Sequence, residues 1–219
     1  MDYTRIKICC MSSVEDVRLA VKYGADAVGF VSAMPSGAGI IDESLIPVLA
    51  SEVPSGMDTF LLTSLTNTEN IVSQIRNCKT NTVQLVDSVE THVYKRIRQD
   101  LPLIKIVQVI HVAGENSIKE AERISQYVDA LLLDSGNPNL LIKELGGTGR
   151  IHDWSISKLI CQSINKPVYL AGGLNPDNIE EAVSTVRPYG VDVCTGLRTN
   201  GTLDEDKLSS FISKVRNSQ

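Results

Sequence analysis

The chain has 219 residues, of which 42% are hydrophobic and 21% charged, and its formal net charge at pH 7 is −5. These values are typical of a globular protein with a large core and exclude a disordered or fibrous chain. The acidic charge and the 5% aromatic content argue against a nucleic-acid-binding function. Because no apolar run reaches the length of a membrane span and the N-terminus has no signal peptide, we expect a cytoplasmic protein with no membrane partner.

Short apolar runs alternate along the chain with amphipathic segments, which is the pattern of parallel strands joined by helices. The predicted strands are Ile6–Cys10, Ala27–Val31, Thr59–Thr63, Thr82–Leu85, Ile104–Val109, Ala130–Leu133, Val168–Leu170 and Val191–Cys194. The predicted helices are Val14–Tyr23, Glu43–Glu52, Thr68–Asn77, Glu90–Gln99, Ser117–Gln126, Trp154–Ile164, Asp177–Thr185 and Asp204–Val215.

Eight strand–helix units favour an α/β fold, a (β/α)₈ TIM barrel forming a single domain over residues 1–219. A flavodoxin-like sheet needs only five or six strands, so the strand count decides against it. A similar turn with a tyrosine and an aspartate precedes or enters three of the strands, at Asp26, Asp129 and Asp192. We interpret all three aspartates as structural residues of a repeated turn.

Glycines follow the last two predicted strands, at Gly172-Gly173 and at Thr195-Gly196. The longest irregular stretch, Ser135–Asp153, follows strand six and contains Gly146-Gly-Thr-Gly149. The loops after the last strands of such barrels often hold a phosphate with their backbone N–H groups. The predicted phosphate-binding residues are Gly147, Gly149, Gly172, Gly173, Thr195 and Gly196.

The five cysteines are Cys9, Cys10, Cys78, Cys161 and Cys194, and their spacing fits neither a zinc site nor a disulfide framework. We therefore expect reduced thiols and no metal. Cys9 and Cys10 point to opposite faces if both lie in a strand, and Cys10 is interpreted as core packing.

Several blocks together resemble the phosphoribosylanthranilate isomerase family over nearly the whole chain. They are Lys7-Ile-Cys9, Gly24-Ala-Asp-Ala-Val-Gly-Phe30, Val83-Gln-Leu85, Leu131-Leu-Leu-Asp134, Gly146-Gly-Thr-Gly-Arg-Ile-His-Asp-Trp154, Leu170-Ala-Gly-Gly-Leu-Asn-Pro-Asp-Asn178 and Pro188-Tyr-Gly-Val-Asp-Val193. The fifth and sixth blocks are the more specific ones.

The resemblance implies an aldose–ketose isomerisation of a phosphoribosyl amine in tryptophan biosynthesis, without a cofactor. It also implies that Cys9 is the general base and Asp134 the general acid. Lys7 shares a strand face with Cys9, so we expect it to lower the pKa of the thiol. The apolar end of strand six should raise the pKa of Asp134.

The chain departs from that family at the end of the ligand away from the phosphate. The family usually has an arginine after strand two for the anthranilate carboxylate, and the segment Val31–Gly39 has none. After strand four Val86-Asp87 replaces the usual His-Gly, and Cys10 replaces a glycine. We expect Arg198, or as second choice Arg150, to replace the missing arginine.

Two alternatives remain open at this stage. The same chemistry could act on a different phosphoribosyl amine, or the barrel could bind phosphosugars without catalysis. The expected assembly is a monomer or a homodimer.

Overall fold

A computed structural model of the chain describes residues 3–137, 140–147 and 149–218. Thr148, from the predicted glycine-rich phosphate loop, lies outside these residues. Eight parallel strands pair in chain order and close into a barrel, which confirms the (β/α)₈ fold. They are β1 (Arg5–Ile8), β2 (Ala27–Val31), β3 (Asp58–Thr63), β4 (Thr82–Leu85), β5 (Lys105–His111), β6 (Ala130–Asp134), β7 (Val168–Leu170) and β8 (Gly190–Val193).

Helices α1 to α8 surround the barrel, at Val14–Lys22, Ile46–Ser51, Thr68–Cys78, Thr91–Asp100, Asn116–Ser125, Trp154–Ser163, Ile179–Val186 and Glu205–Asn217. Side-chain caps begin several of them, since Ser13 accepts from the Asp16 N–H and Asp204 from the Lys207 N–H. The predicted start of α7 at Asp177 is wrong. The helix begins two residues later, because Asn178 turns back to accept the N–H of Asn175.

The alternation of side chains along each strand separates two apolar layers. In β1, Ile6 and Ile8 pack toward the helices, whereas the intervening Lys7 is buried inside the barrel. In β6, Leu131 and Leu133 join the outer layer, whereas Leu132 packs inside the barrel. Residues that continue the inward set past the strand ends therefore meet at the carboxyl-terminal mouth.

The three similar aspartates do not share one position, since Asp192 lies within a strand and not in a turn. Asp26 accepts the N–H of Ile6 at 2.8 Å and Asp129 that of Ile106 at 2.7 Å, and both lie before their strands. Asp192 lies inside β8, where the barrel closes and its Cα is paired with that of Lys7. The aspartate is therefore shifted by three residues relative to the start of the strand.

A short antiparallel hairpin that the sequence did not predict follows β8, formed by β9 (Arg198–Thr199) and β10 (Thr202–Leu203). It leads directly into α8. Among the described helices, none is long and apolar enough to cross a membrane.

Candidate active site

One cavity lies at the carboxyl-terminal mouth of the barrel, where the loops after the strands meet. Its lining includes Cys9 directly after β1, Asp134 at the end of β6, Asp192 in β8, and glycines from the loops after β6 and β7. Barrel enzymes keep their chemistry on this face because the strand ends bring residues from distant parts of the chain together. Within the described residues, no group of three or more His, Cys, Asp or Glu side chains could hold a metal ion.

Cys9 is buried at the barrel mouth, next to the ammonium group of Lys7. The distance from Lys7 Nζ to Cys9 Sγ is 3.5 Å. Burial raises the pKa of the Cys9 thiol to about 11, although the charge of Lys7 acts in the opposite direction. Our expectation of a lowered pKa is wrong, because removal of the thiolate from water outweighs the neighbouring cation.

Lys7 itself is fully buried and forms an ion pair with Asp192, with 2.8 Å between Nζ and Oδ1. Its ammonium nitrogen also lies 4.9 Å from the ring centre of Phe60. Despite its burial, the pKa of Lys7 is raised by the charges of Asp192 and Cys9. The pair brings one cation and one carboxylate to the base of the cavity, and Asp192 is a lining residue that sequence reasoning missed.

A glycine in β2 makes room for this arrangement. A Cβ atom built at Gly29 would lie 2.7 Å from Cys9 Sγ and 3.2 Å from Lys7 Nζ. Both distances are shorter than ordinary contacts, so a side chain here would displace the thiol. A glycine inside an otherwise apolar strand often indicates such a close approach, and this one could have been found from the sequence.

Asp134 ends β6, the strand next to β7, so it lies beside the phosphate-binding glycines expected after β7. Burial raises the pKa of its carboxyl group. The backbone N–H of Ser135 donates to Oδ1 at 2.6 Å and lowers the pKa, but the effect of burial is larger. This direction agrees with the expectation from the apolar strand end. A Cβ at Gly146 would lie 2.6 Å from Asp134 Oδ2, so the loop after β6 packs directly on the carboxyl group.

Most of the predicted phosphate-binding residues line the cavity, namely Gly147, Gly149, Gly172, Gly173 and Thr195. Gly172 and Gly173 have φ angles of +83° and +66°. Among the hydrogen bonds of the described residues, neither of their backbone N–H groups has a partner. Two adjacent free N–H groups at a strand end form a concave site for an anion.

Gly196 is the exception among the predicted phosphate-binding residues. It is not among the lining residues, and a Cβ here would lie 1.9 Å from the carbonyl oxygen of Leu174. The glycine is therefore required for packing of the loop after β8 against the loop after β7.

Cys10 and Cys194 form a disulfide, contrary to the expectation of reduced thiols, whereas Cys10 is buried in the inner apolar cluster, as its interpretation as core packing predicts. Their Cα atoms are 5.8 Å apart although the residues are separated by 184 positions. Cys10 lies beyond the end of β1 with φ of +65°, so it leaves the strand alternation. Because β1 and β8 are neighbours in the closed barrel, the two cysteines meet at the cavity mouth.

Neither arginine expected to replace the missing one lines the cavity. The guanidinium of Arg198 donates to the carbonyl oxygens of Cys10 and Gly201 and lies 3.6 Å from Asp16 Oδ2. Arg150 forms an ion pair with Glu144 in the loop after β6. These carbonyl and carboxylate acceptors hold both arginine side chains outside the cavity lining.

Gln84 is a further lining residue, located in β4 and only 3% exposed. Its Oε1 has no hydrogen-bond partner within the described part of the chain. A glutamine within a short predicted strand of a barrel is the sequence signal that could have identified Gln84 as a lining residue.

Known proteins are similar to this chain over nearly its whole length. A family model described as N-(5'phosphoribosyl)anthranilate (PRA) isomerase matches residues 6–214. The N-(5'-phosphoribosyl)anthranilate isomerase 2 of Methanosarcina mazei is 36% identical over 215 residues, covering 97% of this chain and 94% of that protein.

Two solved structures are similar to this chain. One is a phosphoribosyl anthranilate isomerase in complex with reduced 1-(o-carboxyphenylamino)-1-deoxyribulose 5-phosphate, with a TM-score of 0.78, 26% identity and coverage of 98% of this chain and 99% of that one. The other contains mutually generated monomers of the dimeric Thermotoga maritima enzyme, with a TM-score of 0.79, 26% identity and the same coverage.

Proposed function

The chain belongs to the N-(5'-phosphoribosyl)anthranilate isomerase family, and from this premise we propose that Cys9 and Asp134 convert a phosphoribosyl amine into an aminodeoxyketose phosphate. The family consists of intramolecular aldose–ketose isomerases of tryptophan biosynthesis. The observation that carries the proposal is one cavity lined by a thiol, a carboxyl group with a raised pKa and two free glycine N–H groups.

Asp134 is the general acid in this proposal. In its protonated form it gives a proton to the ring oxygen of the furanose, the C1–O bond breaks, and the lone pair of the amine nitrogen forms an iminium. A raised pKa keeps a carboxylic acid protonated at a higher pH than usual, so burial of Asp134 favours this role.

Cys9 is the general base that removes the proton from C2 of the iminium. The electron pair of the C–H bond forms the C1–C2 double bond and the nitrogen regains its lone pair, which gives an enolamine. Tautomerisation to the ketone moves one proton from the C2 hydroxyl to C1. Substrate and product are isomers, so no external oxidant or reductant is needed. The iminium nitrogen accepts the electron pair released when the C2–H bond breaks, so the step needs no cofactor.

The phosphate is held, in this proposal, by the backbone of Gly172 and Gly173 with Thr195 and the loop containing Gly147 and Gly149. The free N–H groups replace the hydration of the anion, and their fixed direction places C1 and C2 of the sugar relative to Cys9 and Asp134.

The decisive experiment is rescue of a tryptophan auxotroph that lacks this isomerase, combined with kinetics of the purified chain on N-(5'-phosphoribosyl)anthranilate. We expect rescue by the wild type and none by Cys9→Ala or Asp134→Asn, which should each lose about a hundredfold or more in kcat. A soluble, folded wild type without activity would favour the alternatives: another phosphoribosyl amine, or a non-catalytic phosphosugar-binding barrel.

We also propose that the chain acts in the cytoplasm, since its ligand would be a charged sugar phosphate that does not cross an apolar membrane unaided. A monomer or a homodimer is the proposed assembly. Light scattering of the purified chain measures its mass directly.

A further inference from the structure

The wall of the cavity opposite the phosphate-binding glycines is formed by β2 to β4 and the loops that follow them. β3 and β4 lie opposite β7 and β8 in the closed ring of strands. The apolar side chains that line this wall are those of Val31, Met34, Leu62 and Val86. Among the described residues, its polar lining side chains are Ser36 and Gln84. The hydroxyl of Ser36 already donates to the carbonyl oxygen of Lys143 at 2.6 Å, which leaves the amide of Gln84 for a ligand.

Gln84 faces the interior of the barrel from β4. The residues before and after it, Val83 and Leu85, pack in the outer apolar layer, so strand alternation turns Gln84 inward. Its neighbours in the sheet register are Leu62 in β3 and Val107 in β5, whose side chains offer no hydrogen bond. Gln84 is only 3% exposed, and its Oε1 has no partner within the described part of the chain. A buried amide oxygen without a partner reduces the stability of the folded chain.

A second buried glutamine shows the bonds of an amide that serves the fold alone. Gln108 lies in the neighbouring β5 and is 2% exposed. Its Nε2 donates to three backbone carbonyl oxygens, and its Oε1 accepts the hydroxyl of Tyr94 at 2.8 Å. Buried amides in folded proteins normally have such partners. The unpaired oxygen of Gln84 is therefore an exception, and it occurs at the cavity.

The order of groups along the substrate places the amine nitrogen near this wall. In a 5-phosphoribosyl amine the phosphate is bound to C5 and the nitrogen to C1, at the other end of the sugar. With the phosphate at the glycines after β7 and with C1 and C2 beside Cys9 and Asp134, the nitrogen and its substituent extend toward β2 to β4. Gln84 is the lining side chain there that can accept a hydrogen bond from the nitrogen.

We propose that Gln84 is a further catalytic residue, whose Oε1 accepts the N–H of the substrate amine and stabilises the iminium. The inference rests on the proposed isomerase function and deepens it. The nitrogen keeps its hydrogen throughout: when the C1–O bond breaks, the nitrogen lone pair forms the C1–N double bond and the group becomes a cation. A hydrogen bond from a charged donor is stronger than one from a neutral donor. Oε1 therefore stabilises the iminium more than the substrate, which lowers the barrier to ring opening.

Gln84→Met tests the catalytic role, because methionine has a similar length and is only a weak acceptor. We expect kcat on N-(5'-phosphoribosyl)anthranilate to fall about tenfold or more, with a smaller change in KM, since the bond is strongest after ring opening. Gln74→Met makes the same substitution in α3, outside the cavity lining, and is the matched control. Its kcat should stay within about twofold of the wild type. An unchanged kcat in Gln84→Met would overturn the inference.

Urea unfolding of Gln84→Met separates catalysis from stability. The substitution removes a buried oxygen that has no partner, so the urea midpoint should equal or exceed that of the wild type. A residue that serves only the fold would give the reverse result, a lower midpoint with an unchanged kcat of the folded protein, and this would overturn the inference.

Binding of a product analogue tests the N–H itself without turnover. The probes are reduced 1-(o-carboxyphenylamino)-1-deoxyribulose 5-phosphate and its N-methyl derivative, whose nitrogen has no hydrogen to donate, with Kd measured by calorimetry. The wild type should bind the N-methyl derivative about fivefold or more weakly than the parent compound. In Gln84→Met this ratio should be about threefold or more smaller, and an equal ratio in both proteins would overturn the inference.

The two proposals fail in different ways. If the wild type binds the parent probe but does not convert N-(5'-phosphoribosyl)anthranilate, the proposed isomerase function is refuted, and the ratio of the two Kd values still decides whether Gln84 binds the N–H. A wild type that binds neither probe would overturn both proposals.

Discussion

The ammonium nitrogen of Lys7 lies 3.5 Å from the sulfur of Cys9, yet the pKa of the thiol is raised to about 11. The three largest effects on this sulfur are burial, which raises its pKa, the charge of Lys7, which lowers it, and the charge of Asp192, which raises it. The proposed base is therefore a thiol over most of the neutral range in the free protein, and its reactivity depends on the balance of two charges.

Alkylation of Cys9 as a function of pH measures this balance. Mass spectrometry of the Cys9 peptide measures the rate of alkylation at each pH. We expect the midpoint of this rate near pH 11 in the wild type. Lys7→Met should move the midpoint upward because the stabilising cation is lost, and Asp192→Asn should move it downward because a repelling carboxylate is lost. Shifts in the same direction for both variants would contradict this account.

The pH dependence of catalysis should reflect both groups. Because Cys9 must be deprotonated and Asp134 protonated, kcat/KM should rise with pH up to the raised pKa of Asp134, stay level above it, and fall only near the Cys9 pKa of about 11. A fall in kcat/KM as the pH rises through the neutral range would contradict these roles.

Gly29→Ala tests whether the space beside the thiol matters. The added Cβ would lie 2.7 Å from Cys9 Sγ, so the thiol must move, and we expect a loss of about 10–100-fold in kcat. Urea unfolding of the same variant serves as the control, since a purely structural effect would reduce stability and leave kcat of the folded fraction unchanged.

Removal of the bond between Cys10 and Cys194 should destabilise the barrel. It joins residues 184 positions apart, and Cys194→Ser should lower the free energy of unfolding by about 2–5 kcal/mol. Cys161→Ser, which removes a free thiol, is the control and should change stability little. Dithiothreitol should lower the urea midpoint of the wild type but not that of Cys194→Ser, and an unchanged wild-type midpoint would refute the prediction.

His152 should make the protein less stable in mild acid. Burial lowers the pKa of its imidazole to about 4, from an unfolded value near 6.5. The folded state therefore binds fewer protons than the unfolded chain between these values. The contribution of the neutral imidazole to the free energy of unfolding is fully present above pH 6.5. It is lost as the pH falls toward 4, by about 2–3 kcal/mol in total.

The measurement compares the free energy of unfolding at pH 7 and pH 4.5 for the wild type and His152→Gln. Glutamine removes the titration but can still reach Ser157, whose hydroxyl lies 2.7 Å from His152 Nε2. The free energy of unfolding should decrease less between pH 7 and pH 4.5 in the variant than in the wild type. Equal decreases would show that His152 does not contribute to the acid sensitivity.

The fold, the family and most of the site residues that line the cavity among those proposed could be predicted from the sequence. Strand alternation and the strand–helix period are local, so β2, β4 and β7 have the predicted bounds. Cys9 and Asp134 lie at or just past the ends of their strands, and a barrel necessarily brings such residues to one mouth. Glycines at strand ends indicate an anion site for the same local reason.

Which charged groups meet depends on long-range packing. Closure of the barrel places β8 beside β1, which pairs Lys7 with Asp192 and bonds Cys10 to Cys194 across most of the chain. Loop packing pairs Lys143 with Asp87, whereas Arg198 is taken up by Asp16 and carbonyl oxygens. Such pairings depend on distances of a few ångström between segments far apart in sequence, and no local pattern contains them.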